Sequence, residues 1–193
     1  MQTFADPGDF IAHAKATGRQ YASLTLRQGV TLLGSIVLEL FDDLCPDTCA
    51  NFISLIEGPG SHKYKGSTIH RVVKGGYIQG GDVADGTGKG DPGFLIPDES
   101  FQVKHDCAGI IGMASLGQPH TASSQFYITL NKLEWLDGKR VAFGRVLTQE
   151  GMDVVKSLQG LMLSNERPVP EVTVTEAIMV RTEGDVLAVI TFT

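Results

Sequence analysis

The sequence predicts a mainly β protein, a barrel of short strands closed at its ends by helices. Most apolar runs are short and stand between turn residues, and glycine is abundant at 23 residues, clustered between those runs. Only two segments in the body of the chain carry a core-facing helical stripe. A chain of 193 residues fits one domain with a full hydrophobic core. With 42% hydrophobic and 20% charged residues, its composition is globular rather than disordered or fibrous.

The elements follow in order. Asp6 is a good N-cap with Pro7 at the first helical position. Phe10, Ile11 and Ala14 share a face, and Gly18 stops this first short helix. Tyr21 to Arg27 and Thr31 to Phe41 read as strands around a Gln28-Gly29 turn, the second with Ile36, Leu38 and Leu40 on one face. Pro46 opens a helix in which Cys49, Phe52, Ile53 and Ile56 form one stripe. Short strands and turns follow from Tyr64 to Gly81, and Gly86 to Gly93 is a glycine-rich loop. Gly109 to Ala114, Phe126 to Leu130 and Val141 to Val146 are further strands. Thr148 to Leu158 is a second capping helix, and Val172 to Val180 another strand. Glu183-Gly184-Asp185 then turns the chain into the apolar run Val186 to Phe192, expected to pair with the sheet or the N-terminal helix.

Several function classes are disfavoured. A net charge of −6 argues against nucleic acid as a partner, because phosphate binding needs basic side chains. No apolar stretch approaches the ~20 residues of a membrane helix. Asp6, Asp9, Lys15 and a Pro-Gly pair interrupt what a signal peptide would keep apolar. Cys45, Cys49 and Cys107 are odd in number without a Cys-x-x-Cys pair, which suits reduced thiols in a cytoplasmic protein. The five histidines lack metal-ligand spacing, so neither a metal nor a cofactor is expected. Gly86 to Gly90 lacks the Gly-Lys-Ser/Thr ending of a phosphate loop, and no Gly-x-Ser-x-Gly elbow occurs.

Six stretches carry a more specific signal. They are FDDLCPDTCANF from Phe41, YKGSTIHR from Tyr64, QGGD from Gln79, GIIGMA from Gly109, SQFY from Ser124, and WLDGK from Trp135 with Phe143-Gly144. In this order and spacing the chain resembles the cyclophilins, the peptidyl-prolyl cis-trans isomerases, over about residues 21 to 180. The resemblance implies an eight-stranded antiparallel closed barrel capped by two helices, here with an extra N-terminal helix and C-terminal strand. It also implies a surface groove that binds X-Pro segments of peptides and client proteins and is open to cyclosporin; the protein is expected to act as a monomer. By position, Arg71, Gln79, Ala114, Gln125, Trp135 and Leu136 are kept. Gly76 stands where the family has phenylalanine, Tyr77 for methionine, Ser115 for asparagine, Tyr127 for the second pocket phenylalanine and Arg140 for histidine. The segment between Gly117 and Gln125 is one residue longer than the common pattern.

The chemistry suits those residue types. An X-Pro amide rotates over a barrier of about 18–20 kcal/mol and exchanges in tens to hundreds of seconds. In the twisted state the nitrogen lone pair leaves conjugation, and a fixed cation aimed at it stabilises that state more than either isomer. Arg71 stays charged and presents a rigid fork; Gln79 is expected to position it. His70 is expected to be a satisfied structural residue, since no proton is transferred. Tyr127, Leu136 and Tyr77 are candidates for an apolar proline pocket, although each suits an ordinary core as well. Ala114 and Ser115 would offer an extended edge to the peptide. Gly76 either leaves a void or lets the Gly75-Gly76 pair bulge so that Tyr77 fills it. Two classes therefore stand: an isomerase, or a proline-peptide-binding module with little turnover.

Overall fold

A computed structural model describes residues 7–183 and 186–187. Its centre is a closed barrel of eight strands, β1 (Gln20–Gln28), β2 (Thr31–Leu40), β3 (Thr68–Val73), β4 (Tyr77–Gly80), β5 (Ile110–Ser115), β6 (Ala122–Thr129), β7 (Ala142–Val146) and β10 (Val172–Val180). They run in the order β1-β10-β3-β4-β6-β5-β7-β2, every pair antiparallel, and β1 closes on β2. Two-residue strands β8 (Leu163–Ser164) and β9 (Arg167–Pro168) form a small hairpin between β7 and β10 in the chain. Closure leaves the barrel no open edge.

The core fills the barrel and continues under its caps. Leu24, Ile36, Leu38, Ile69, Ile78, Ile111 and Ile128 are buried from successive strands. Helix α2 (Pro46–Glu57) adds Cys49, Phe52 and Ile56 of the stripe its spacing predicts, while Ile53 is only partly buried and Leu55 is buried beside them. Phe52 meets Tyr64, Phe126 and Phe143 at centroid distances of 4.8, 5.8 and 5.2 Å, within the range for favourable ring pairs. Helix α3 (Gln149–Ser157) caps elsewhere with Met152 and Val155, and Thr148 Oγ1 accepts the Gly151 amide at 3.1 Å as its N-cap. The Cys45 and Cys49 thiols lie on the Ala142 and Phe143 carbonyls; burial pushes Cys45 up to about 11 and Cys49 further. They are packing groups, as their helical spacing suggests.

Helix α1 (Pro7–Thr17) ends as expected, at Gly18 with φ 66° and its amide on the Ala14 carbonyl. Phe10 and Ala14 bury against Tyr21, Val37, Leu147 and Val180. This changes the reading of β2. Its alternation predicts Ile36, Leu38 and Leu40 inward, and they are, but Val37 and Glu39 are buried too because α1 covers the outer face. Glu39 is enclosed with three cationic or polarisable partners, His13 Nε2 at 2.8 Å, Arg145 Nε at 2.5 Å and Arg19 Nη1 at 3.4 Å.

Several boundaries move. The second strand ends at Leu40, before Phe41, and β6 begins at Ala122, four residues ahead of Phe126. The second capping helix stops at Ser157 and passes into a 3-10 turn, Leu158–Gly160. At the C-terminal end, β11 (Thr182–Glu183) pairs with β12 (Val186–Leu187) as a hairpin rather than joining the barrel. The rest of the expected terminal strand, residues 188–193, lies outside the described residues, as does Asp6.

Candidate functional site

One outward-facing row crosses four strands. Arg71 on β3 stands opposite Gln79 on β4, Gln79 opposite Tyr127 on β6, and Tyr127 opposite Gly112 on β5. Because side chains alternate along a strand, the neighbouring row Val72, Ile78, Ile128 and Ile111 points into the core. Tyr77 and Gln125, each two residues from the row, share its outer face. The sequence residues Arg71, Tyr77, Gln79, Ala114, Gln125, Tyr127 and Leu136 therefore come together on one wall.

Arg71 is half-exposed, and its fork is held from two sides. Nε donates to Glu166 Oε2 at 2.6 Å and Nη1 to the Tyr77 hydroxyl at 3.0 Å, with the guanidinium 5.6 Å from the Tyr77 ring centroid. The hydrogen bond to Glu166 raises Arg71 above its ordinary value, so the cation persists at any working pH. Gln79 does not take the positioning role expected of it in this state. Its amide donates to Gln125 Oε1 at 2.8 Å, and Gln125 in turn donates to the Gly88 carbonyl at 3.2 Å. The two amides lie side by side on adjacent strands and satisfy each other.

Glu166 escapes sequence reasoning because it lies 95 residues from Arg71 and carries no motif. Asn165 and Glu166 turn the β8–β9 hairpin with φ 48° and 65°. Asn165 in that conformation is a usable turn signal, whereas glutamate there is costly. Two bonds to β3 hold it, the second from the Val72 amide to the Glu166 carbonyl at 2.7 Å.

Beside Arg71 an apolar cluster sits on the outer wall, separate from the barrel core. Tyr127, Leu133 and Leu136 are buried in it, with Tyr77 and Ala114 packed on them and the two tyrosine rings 5.8 Å apart. Leu133 is an addition to the expected set. Gly76 forms no bulge: Gly75 at φ 71° makes the β3–β4 turn, and the register shift falls between Ile69 and Arg71. A Cβ on Gly76 would meet Val73 Cγ1 at 3.0 Å, and it is Tyr77 that packs on the cluster. Trp135 follows in the 3-10 turn Glu134–Leu136, 58% exposed at the rim. Arg140 is half-buried behind that turn, its amide on the Leu136 carbonyl and Nη1 on the Lys139 carbonyl.

On the other side of Gln79 and Gln125 opens a cavity of about 670 Å³, lined also by Ala114, Ser115, Thr121 and the loop from Gly88 to Leu95. That glycine-rich loop turns its amides inward. Asp82 accepts from Ala84, Asp85, Gly88 and Gly90, leaving none of those donors for a phosphate. His70 is a correction. It is buried against Gly88, but neither ring nitrogen makes a hydrogen bond of good geometry, and burial lowers its pKa.

The site is thus a fixed, half-exposed cation between an apolar cluster and a neighbouring cavity of mixed lining, a surface able to hold an extended peptide. Residues 24–179 match the profile of the cyclophilin type peptidyl-prolyl cis-trans isomerase/CLD family. The chain is 49% identical over 129 residues to a peptidyl-prolyl cis-trans isomerase of Encephalitozoon cuniculi (strain GB-M1), covering 65% of this chain and 73% of the relative. It is 37% identical over 175 residues to peptidyl-prolyl cis-trans isomerase B of Saccharomyces cerevisiae, covering 88% and 84%. It is also 41% identical over 157 residues, 75% of its length, to a human protein named probable inactive peptidyl-prolyl cis-trans isomerase-like 6, of which it spans 49%.

Proposed function

The chain belongs to the cyclophilin family of peptidyl-prolyl cis-trans isomerases, and from that premise we propose that Arg71 is the group that stabilises the twisted X-Pro bond on this outer wall. The observation that carries the proposal is the placement of the guanidinium. It is fixed through Nε and Nη1, half-exposed, and adjacent to the only apolar cluster outside the core and the α1 contact among the described residues.

A proline ring fits against Tyr127, Leu136 and Tyr77, which restrain it while the carbonyl side of the bond rotates. Residues before the proline lie along Ala114 and Ser115 toward the 670 Å³ cavity. As the nitrogen pyramidalises, its freed lone pair accepts a hydrogen bond from an N–H of Arg71 not engaged by Glu166 or Tyr77. This interaction is absent from both planar ground states, so it lowers the barrier rather than merely binding substrate. Reaching millisecond exchange requires about 5 decades, or about 7 kcal/mol. Gln79 and Gln125 are positioned to bind the peptide carbonyl once their mutual bond opens.

We infer further that the protein works as a monomer on proline-containing peptides and folding clients, binds cyclosporin less tightly than relatives with two pocket phenylalanines, and resides in a reducing, cytoplasmic setting suited to its buried thiols. A second reading, a binding module with weak turnover, draws on the Arg71–Glu166 pair, since a carboxylate at 2.6 Å competes for the same cation. Exchange spectroscopy on a short X-Pro peptide separates the two. The proposal expects cis-trans exchange far above the uncatalysed rate. Binding of the peptide with uncatalysed exchange would select the second reading.

A further inference from the structure

Tyr127 brings a hydroxyl to the apolar cluster, and the fold has a cradle for it. Gly112 stands directly opposite Tyr127 in the β5–β6 register. A Cβ at position 112 would fall onto Tyr127 Oη and within 2.5 Å of Cζ, so the missing side chain is what lets the phenol lie against the barrel wall. There Oη sits 2.6 Å from Nε2 of His105, whose side chain is fully enclosed. His105 Nδ1 lies 2.8 Å from Asp137 Oδ1, which also accepts the His105 amide at 2.9 Å.

The proton positions follow from the inventory of donors. A carboxylate only accepts, so Nδ1 carries a ring proton, and in that tautomer Nε2 accepts from the Tyr127 hydroxyl. Some desolvation works against the Asp137 charge, but the His105 amide and ring hold its carboxyl below the ordinary range. Burial pushes the Tyr127 phenol far up, so it remains a donor. Asp137 directly follows Trp135 and Leu136, and this chain of bonds therefore ties the rim of the groove to its floor.

We infer that His105 and Asp137 are positioning residues for the proline pocket. By engaging the Tyr127 hydroxyl they turn it into the wall, and the ring presents an apolar face to the groove. Without them the hydroxyl would be buried and unpaired, and its way to water leads into the pocket, where it would meet the proline ring as a polar, hydrated group. The inference rests on the groove reading above only in naming proline as the occupant.

The single tryptophan at the rim supplies the readout, since Trp135 fluorescence reports peptide binding whether or not turnover occurs. With a short X-Pro peptide as probe, His105→Leu is expected to weaken binding about tenfold, the equivalent of ~1.4 kcal/mol. His105→Gln, which keeps an acceptor near Oη, should recover most of that loss. Combining His105→Leu with Tyr127→Phe should return affinity to that of Tyr127→Phe alone, because the troublesome hydroxyl is gone. Should His105→Leu fail to fold, Asp137→Ala on the more exposed partner is expected to weaken binding in the same direction, again only while Tyr127 is present. A purely structural role would lower the melting temperature without changing affinity. That result, or equal weakening in the Tyr127→Phe background, would overturn the inference. A parent protein that binds without turnover would sink the isomerase proposal and leave this comparison readable; a parent that does not bind the peptide at all would overturn both.

Discussion

Single residues in this protein are set by their surroundings, and His70 shows the consequence of enclosure. It is enclosed next to Arg71, and burial lowers its pKa. In the unfolded chain an imidazole takes its proton near pH ~6.5. Between that pH and the lower folded value, the unfolded state binds the proton and the native state does not. Stability therefore falls as the pH drops below ~6.5. His70→Leu keeps the volume roughly and removes the titrating group. It should flatten the decline in unfolding free energy between pH 7 and 5, measured by urea titration at each pH. A decline as steep as that of the parent would mean that His70 makes no such contribution.

At the scale of elements, the loop from Asp82 to Gly90 is built on one carboxylate. Burial opposes its ionisation, yet the amides of Gly90, Asp85, Gly88 and Ala84 hold it down to about 2. With an unfolded value near ~3.9, the stabilisation is complete above pH ~4 and is lost as the pH falls through about 2. Hydrogen bonds to a charge contribute about 1.5–3 kcal/mol, so Asp82→Asn should cost roughly that at pH 7. It should also speed amide exchange at Gly88 and Gly90, which line the cavity. Unaltered exchange at those amides would show that the loop is held by something else.

The elements also show where sequence legibility stops. Val172 to Val180 is readable to the residue and α2 nearly so, because uninterrupted apolar periodicity and a leading proline define them. The β8–β9 hairpin is not, since two-residue strands have no period to detect, and Glu166 is missed with it. Likewise Tyr127 is legible as a candidate for the outer-wall cluster, but its bond to His105 spans 22 residues and depends on Gly112 having no side chain. The site residues that periodicity and motif order identify are those on the barrel wall and in the Trp135–Arg140 segment. The missing ones approach it from loops and turns.

At the scale of the whole molecule, the barrel divides into two halves with separate tasks. Helix α1 lies against β1 and β2, with Leu147 and Val180, while the groove occupies β3, β4, β6 and β5 on the other half of the strand order. Nothing in the alternation of the strands announces that the first strand pairs with β10, about 150 residues later; barrel closure is a long-range outcome. Phe10 is fully buried where α1 docks. Phe10→Ala should cost about 3 kcal/mol and lower the melting temperature by roughly 6–12 °C for a domain of this size. Turnover on an X-Pro peptide should be unchanged at temperatures where the variant is folded. Lost turnover in a folded variant would tie the helix to the groove.

Catalysis on this wall depends most on the Arg71 cation in the proposed mechanism. Exchange spectroscopy on one short X-Pro peptide, run with the parent, Arg71→Ala and Arg71→Lys at matched folded fractions, tests it directly. Arg71→Ala should lower the catalysed exchange rate by about 2–3 decades, as removal of a transition-state donor does, with peptide affinity largely kept. Arg71→Lys should also fall short, because a point charge lacks the fork that Glu166 and Tyr77 hold in place. Catalysed exchange in Arg71→Ala equal to that of the parent would contradict the account.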